Sequence, residues 1–89
     1  MERICKGAAG TTRSGDIYIE LVGAAQGGVR LELTSAAAEP LKPYVRRVIL
    51  ETLSDLGIAH ALVRAVDRGA LDSTIRARVT VAASRGAPR

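Results

Sequence analysis

Residues 10–21 read Gly10-Thr11-Thr12-Arg13-Ser14-Gly15-Asp16-Ile17-Tyr18-Ile19-Glu20-Leu21 and contain the clearest strand signal in the sequence. Apolar and polar residues alternate in the second half of this stretch, which is the period of a half-buried β-strand. Gly15 precedes the strand and favours a turn, because glycine adopts positive φ without a steric cost. The stretch therefore predicts a turn at Ser14 that leads into a strand from about Asp16 to Val22.

The predicted turn exposes the Ser14 hydroxyl on a small platform that a second protein could reach. Gly15 leaves no side chain beside that hydroxyl, and Asp16 can accept hydrogen bonds from nearby backbone N–H groups and fix the turn. A serine that attacks a substrate itself needs an adjacent base, and the only histidine, His60, is distant in sequence. Two interpretations follow: Ser14 is an ordinary turn residue, or it receives a group from another protein.

Composition indicates one small domain. The chain has 89 residues and is 47% hydrophobic, but it contains no Phe or Trp, so we expect an aliphatic core. A chain of this length buries only about 60–65% of its extended surface, which leaves no room for a deep catalytic cleft. We expect a single domain over residues 1–89, with residues 86–89 frayed.

Cysteine, metal and membrane signals are weak. Cys5 is the only cysteine, so an internal disulfide is impossible, which suits a reducing cytoplasm. Cys5 and His60 remain a formal catalytic pair, although a thiol near a terminus is more often a small buried residue. Ligands at zinc spacing, a signal peptide and an apolar stretch of about 18 residues are all absent from the sequence. We therefore expect a cytoplasmic protein without a metal site or a membrane span.

The net charge of +4 comes entirely from the last third of the chain. Seven Lys and Arg balance seven Asp and Glu up to residue 59, whereas six arginines face only two aspartates after it. Such an excess suits nucleic acid, another polyanion or an acidic partner surface.

Strand signals dominate the first half of the chain. A short first strand is expected within residues 2–9 and a second over residues 16–22, followed by a third over residues 29–33. The glycine-rich segment 23–28 joins the last two, and it predicts an antiparallel hairpin.

Two amphipathic helices and one more strand are predicted in the second half. The first helix runs from Pro40 to Gly57, because proline fits the first turn and glycine ends a helix. A strand over residues 58–66 follows, and apolar residues at helical spacing, beginning with Leu71, predict a second helix over residues 70–84. The predicted fold class is α+β, with the order β-β-β-α-β-α and two helices on one face of a small, mainly antiparallel sheet.

Two motifs in this order resemble one protein family. The first is the run over residues 10–16 before a strand, and the second is Asp67-Arg68-Gly69-Ala70-Leu71-Asp72, with Ile75-Arg76-Ala77-Arg78 one turn further on. Together, in a chain this short, they resemble the acyl carrier (gamma) subunits of citrate lyase. The resemblance covers nearly the whole chain, although residues 23–39 match only as strand–loop–strand.

The resemblance implies a covalent cofactor and a set of partners. Carriers of this family hold phosphoribosyl-dephospho-coenzyme A in phosphodiester linkage to the serine of Ser-Gly-Asp, here Ser14, with Gly15 and Asp16 supporting the turn. A separate transferase installs the group, whose thiol carries an acetyl thioester. The alpha subunit exchanges acetyl for citrate, and the beta subunit cleaves the citryl group to oxaloacetate. The carrier itself supplies no catalytic residue.

The second motif allows two interpretations. Residues 67–72 can form a plain strand–turn–helix junction that positions the second helix. Alternatively, Arg68, Arg76 or Arg78 contacts partner subunits or the phosphates of the arm, because arginine forks suit phosphate.

Other functions remain open on the sequence alone. The carrier of malonate decarboxylase bears a related group on a serine near its N-terminus, and a carrier for a citramalate-like acid also fits. A small basic RNA-binding domain is the alternative from a different class, and residues 7–10 match a GXXG loop formally. Tyr18 is the only aromatic residue on the predicted sheet, which does not favour nucleic acid. A purely structural subunit is the last alternative.

Overall fold

The computed structural model describes residues 6–36 and 38–86, which form a four-stranded sheet and two helices. The strands are β1 (Gly7–Ala9), β2 (Ile17–Gly23), β3 (Val29–Ser35) and β4 (Ala61–Asp67). The helices are α1 (Lys42–Asp55), which follows a single 3-10 turn at Glu39–Leu41, and α2 (Asp72–Gly86). The α+β class and the order β-β-β-α-β-α are confirmed.

The sheet order is β1-β2-β4-β3, so the hairpin predicted between the second and third strands is wrong. β4 lies between them, antiparallel to β2 and parallel to β3. The segment from Ala24 to Gly28 crosses the start of β4: the Ala24 N–H donates to the His60 carbonyl, and the Ala61 N–H donates to the Gly28 carbonyl. A glycine-rich connection permits a hairpin but does not require one, and α1 supplies the crossover that parallel pairing of β3 with β4 needs.

Burial explains why β4 takes a central position. Its inward residues Ala61, Val63 and Ala65 are 0%, 3% and 1% exposed, whereas the inward residues of β3 are only half-buried. Small side chains at the sheet centre let helices approach closely, and the inward face of this central strand is covered more completely than that of β3. β3, whose inward residues are incompletely covered, is left at the edge.

One aliphatic core fills the space between the sheet and both helices. The inward residues of β2 pair across the sheet with those of β4, and they share a single cluster with the apolar stripes of α1 and α2. Both helices therefore pack on one face, as predicted. The largest fully buried side chains in this cluster are Ile17, Ile19, Leu21, Val48, Ile49, Leu53, Ile75 and Val79.

Some predicted boundaries shift. Leu71 is 72% exposed, because it lies just before α2 and not on its apolar stripe. α2 continues through Gly86, which is buried, so the fraying predicted from residue 86 does not begin there; residues 87–89 lie outside the described part. Of the first predicted strand, residues 7–9 form β1, and Cys5 also lies outside the described residues.

The formal GXXG match does not form a loop between helices. Residues 7–9 are strand β1, and Gly10 begins the turn toward β2. Within the described ranges, no helix is long and apolar enough to cross a membrane.

Gly7 should be intolerant of any side chain, because β1 and α2 touch through their backbones there. A Cβ on Gly7 would lie 2.1 Å from the Ala82 carbonyl oxygen and 2.6 Å from the Gly86 nitrogen. We expect Gly7→Ala to lower the free energy of unfolding by about 3 kcal/mol, as overpacking does. Urea unfolding measures this loss.

Gly57→Ala is the matched control. Gly57 has φ +76° but no atom within 4 Å of an added Cβ, so only backbone strain of about 1 kcal/mol is expected. Equal losses in the two variants would contradict close packing of β1 on α2.

Candidate functional site

The turn around Ser14 lies directly against the turn that follows β4. The Gly15 N–H donates to the Arg68 carbonyl at 2.7 Å, and the Arg68 N–H donates to the Asp16 carbonyl at 2.9 Å. These two bonds extend the β2–β4 pairing beyond the sheet. The two sequence motifs, far apart in the chain, are therefore parts of one surface.

Ser14 is exposed at the tip of its turn. The Asp16 N–H donates to the Arg13 carbonyl at 3.1 Å and closes the turn, and Gly15 adopts φ +84°. A Cβ on Gly15 would meet no atom within 4 Å, so the space beside the serine is open. The hydroxyl is thus accessible to a large reagent.

The Asp16 carboxylate holds this turn from several sides. Oδ2 accepts hydrogen bonds from the Thr11 hydroxyl at 2.7 Å and the Thr11 N–H at 3.1 Å, and Oδ1 accepts one from the Ile17 N–H at 2.7 Å. Arg78 on α2 donates through Nε to Oδ1 at 3.0 Å and through a terminal nitrogen to Oδ2 at 3.4 Å. The carboxylate thereby joins the turn, strand β2 and helix α2.

These contacts change the acidity of Asp16. The hydrogen bond from the Thr11 hydroxyl, followed by those from the Ile17 N–H and from Arg78 with its charge, lowers the pKa of Asp16 to about 2. Partial burial opposes the shift, but hydrogen bonding to the charged form outweighs it. Asp16 is therefore ionised throughout the neutral range and acts as a fixed anchor, not as a proton donor.

Gly10 makes this arrangement sterically possible. It adopts φ +89°, and a Cβ there would lie 1.8 Å from the Ile17 carbonyl oxygen and 3.3 Å from Cδ of Arg78. Any larger residue would push the start of the turn away from β2. The sequence pattern does not indicate this role, although Gly10 opens the motif over residues 10–16.

The three arginines singled out from the sequence have different positions. Arg68 and Arg78 lie at the Ser14 turn, through the backbone and side-chain contacts given above. Arg76 instead ties α2 to α1: it donates to Asp72 and, at 3.0 Å, to Glu51. The bond to Asp72 raises the pKa of Arg76 and lowers that of Asp72. The structure therefore does not bring Arg76 to the serine.

Two arginines whose backbones adjoin the Ser14 turn have exposed side chains. Arg13 precedes the serine, Arg68 lies across from Gly15, and both side chains are exposed. Within residues 6–36 and 38–86, no hydrogen bond or ion pair engages either guanidinium. The sequence pattern does not single out Arg13, whose only signal is its place inside the motif over residues 10–16.

Asp67 fixes the second turn from inside the protein. It is 1% exposed; its Oδ1 accepts from the Ala70 N–H at 3.0 Å, and its Oδ2 accepts from the Ser35 hydroxyl at 2.8 Å. The interpretation of residues 67–72 as a strand–turn–helix junction is confirmed. This junction gives Arg68 a defined backbone position beside Gly15.

His60 lies far from the serine. Its Nδ1 accepts a hydrogen bond from the Gly28 N–H at 2.8 Å, just before β4 begins. The Ser14 turn is beside the other end of β4, at Asp67. His60 thus fastens the connection between β2 and β3 and does not face the Ser14 hydroxyl.

The structure thus presents an exposed serine on a turn that hydrogen bonds to the Asp16 carboxylate hold in place. A chain in the crystal structure of a Pseudomonas malonate decarboxylase hetero-tetramer in complex with malonate has the same fold, with a TM-score of 0.77 over 93% of this chain and 84% of that chain. The two sequences are 18% identical, so this likeness concerns the fold alone.

Sequence comparison identifies the family. The model described as ACP, malonate decarboxylase delta subunit (MdcD), matches residues 5–86. Citrate lyase acyl carrier protein 2 of Salmonella typhimurium is 40% identical over 87 residues, which cover 98% of this chain and 90% of that protein. The citrate lyase acyl carrier protein of Oenococcus oeni is 46% identical over 77 residues, which cover 86% of this chain and 78% of that protein. The chain belongs to this acyl carrier protein family.

Asp16 should make stability depend on acid pH. Its pKa is lowered from 3.8 to about 2 in the folded chain, so its contribution is complete above pH 4 and is lost as the pH falls through about 2. The expected contribution is about 2 kcal/mol. Urea unfolding of wild type and Asp16→Asn should therefore differ most at neutral pH and converge near pH 2.

Asp55→Asn serves as the control, because Asp55 is exposed and has no ion pair within the described part of the chain. This variant removes one exposed carboxylate without removing the contacts of Asp16, so it should not reproduce the loss of stability that Asp16→Asn shows at neutral pH. Parallel profiles for wild type and Asp16→Asn between pH 5 and pH 2 would exclude Asp16 as the anchor.

Proposed function

We propose that this chain is the acyl carrier subunit of a citrate lyase, and that Ser14 holds phosphoribosyl-dephospho-coenzyme A through a phosphodiester bond made by a separate transferase. The observation that carries the proposal is the exposed Ser14 hydroxyl on a turn locked by Asp16 and Arg78. Citrate lyase carriers 39–46% identical to this chain support the substrate class.

The residues around Ser14 fit a phosphodiester. The group adds negative charge next to the serine, and Arg13 and Arg68, whose backbones adjoin the Ser14 turn, have exposed side chains that can approach it. Arginine binds phosphate through paired N–H donors, so these two residues are suited to the arm or to its donor during transfer. Arg78 acts through Asp16, and Arg76 acts through the contact between α1 and α2.

The chain provides attachment and not catalysis. When bound, the arm supplies a thiol that carries acetyl and citryl groups as thioesters. The turn fixes the base of the arm, and tethering keeps the acyl group at high local concentration near partner active sites. We propose the alpha subunit for acyl exchange and the beta subunit for cleavage as those partners, in a cytoplasmic complex.

A malonate decarboxylase carrier is the second candidate, because both the matching family model and the similar solved structure carry that description. The sequence relatives at 39–46% identity, in contrast, are named for citrate lyase. Assembled complex containing the loaded chain should release oxaloacetate from citrate. Carbon dioxide release from malonate, without citrate cleavage, would select the second candidate.

Intact mass and peptide mapping of protein produced with its native neighbours should find the arm on Ser14. Ser14→Ala should remove the adduct and all activity of the assembled complex without changing the unfolding midpoint. Ser54→Ala, at an exposed serine on α1, should leave adduct and activity intact. An unmodified Ser14 in an active, natively assembled complex would refute the carrier assignment.

Arg13→Ala and Arg68→Ala should each slow transfer of the arm to Ser14. Loss of one charge-assisted hydrogen bond corresponds to about a tenfold decrease in the transferase's kcat/KM. The matched control is Arg47→Ala on α1, because Arg47 is also exposed but lies over the Tyr44 ring. If all three variants are modified at the wild-type rate, neither Arg13 nor Arg68 contacts the phosphates.

A further inference from the structure

From Val29 to Leu33, the outer side of β3 pairs with no other strand of the described residues, because β3 is the last strand in the sheet order. The Ala61 N–H donates to the Gly28 carbonyl, and the Ala36 N–H donates to the Asp67 carbonyl. In a parallel ladder, the residues that bond to the neighbour alternate along the strand. Residues 28, 30, 32, 34 and 36 therefore pair with β4, so the backbone groups of Val29, Leu31 and Leu33 point outward.

This edge has little protection. The Leu31 carbonyl accepts one bond from the exposed Arg46 side chain, at 3.3 Å. The side chains of Val29, Leu31 and Leu33 are only half-buried beside α1. A seven-residue edge strand of alternating pattern without proline or a bulge is a template for another strand.

We propose that β3 pairs antiparallel with β3 of a second copy of this chain, with Leu31 opposite Leu31 at the two-fold axis. The outward N–H and C=O groups of Leu31 would exchange hydrogen bonds with their copies, and Val29 would face Leu33 of the second copy. The two sheets would join into one of eight strands.

Charge selects this register. With Leu31 at the axis, Arg30 of each copy faces Glu32 of the other, and this opposite-charge pair occurs twice. Moving the axis to Arg30 or to Glu32 would place two like charges directly opposite each other, which destabilises strand pairing. Of the registers centred on Arg30, Leu31 and Glu32, only the one centred on Leu31 places oppositely charged residues opposite each other.

The pairing also continues a charge row already present across the sheet. Glu20 on β2, Arg64 on β4 and Glu32 on β3 are register partners on the face without helices. Arg30 of the second copy would extend that row with a fourth, alternating charge.

The arrangement leaves the Ser14 turn untouched. That turn joins β1 and β2, whereas β3 is the opposite edge of the sheet. Self-association therefore does not depend on what Ser14 carries. Strand pairing requires that Arg46 release the Leu31 carbonyl, and that bond is long and exposed.

Charge reversal and mixing test the register. A single strand pair is a small interface, so wild type should dimerise weakly, with a Kd of about 0.1–1 mM in sedimentation equilibrium. Arg30→Glu and Glu32→Arg should each weaken dimerisation about tenfold, because both pairs become repulsive. Mixing the two variants should restore dimers, since every facing pair is then of opposite charge. Arg47→Glu, which changes the net charge by the same amount as Arg30→Glu, should dimerise like wild type.

Amide exchange measured by NMR separates edge pairing from stacking of the two open sheet faces. On raising the wild-type concentration, the amides of Leu31 and its outward neighbours Val29 and Leu33 should gain protection, while Arg30 and Glu32, already bonded to β4, should not change. The proposal is overturned if the chain stays monomeric through the millimolar range. It is also overturned if both charge-reversal variants dimerise like wild type, or if the outward amides gain no protection.

Discussion

The shape of the Ser14 turn depends on the hydrogen bonds that the ionised Asp16 carboxylate accepts. It receives donors from Thr11 on one side of the turn, from the start of β2, and from Arg78 on α2. A turn of small and polar residues has no apolar side chains with which to fix its own shape. Hydrogen bonds to a charged, largely buried acceptor replace that packing, because such bonds are stronger than neutral ones. The Asp16 side chain is only 14% exposed, so water competes weakly for it.

The apolar core fixes the positions of the strands and the helix that hold the Ser14 turn. β2 is fully buried on its inward side, β4 holds the central place beside it, and α2 packs over both. Arg78 therefore reaches Asp16 from a helix whose position is set by the apolar core. The buried Asp67 carboxylate fixes the neighbouring turn by accepting hydrogen bonds from the Ser35 hydroxyl and the Ala70 N–H. The two turns then bond to each other through backbone groups alone, which leaves the side chains of Arg13 and Arg68 facing solvent.

A small domain can serve as a carrier because the task needs a rigid attachment point and accessible surroundings, not a cleft. Under the proposed attachment at Ser14, the exposed serine, the open space beside Gly15 and the exposed side chains of Arg13 and Arg68 meet that requirement. Two other arginines of the last third are held by carboxylates: Arg78 by Asp16, and Arg76 by Asp72 and Glu51. The positive charge of the last third thus divides between structural ion pairs and groups that a partner or a phosphate can contact.

The sequence by itself determined the class, the element order, both amphipathic helices and the turn at Ser14, because period-two and helical alternation, Gly15 and Gly57 are local signals. It did not determine which strands are neighbours. The glycine-rich segment before β3 is compatible with a hairpin and with a connection that crosses over β4. The tertiary structure has the crossing connection, because β4 is buried between β2 and β3. Nor could it separate Arg76 from Arg78, two residues apart on one helix. Only the packing of α2 against both α1 and the Ser14 turn decides that one guanidinium meets Glu51 and the other meets Asp16.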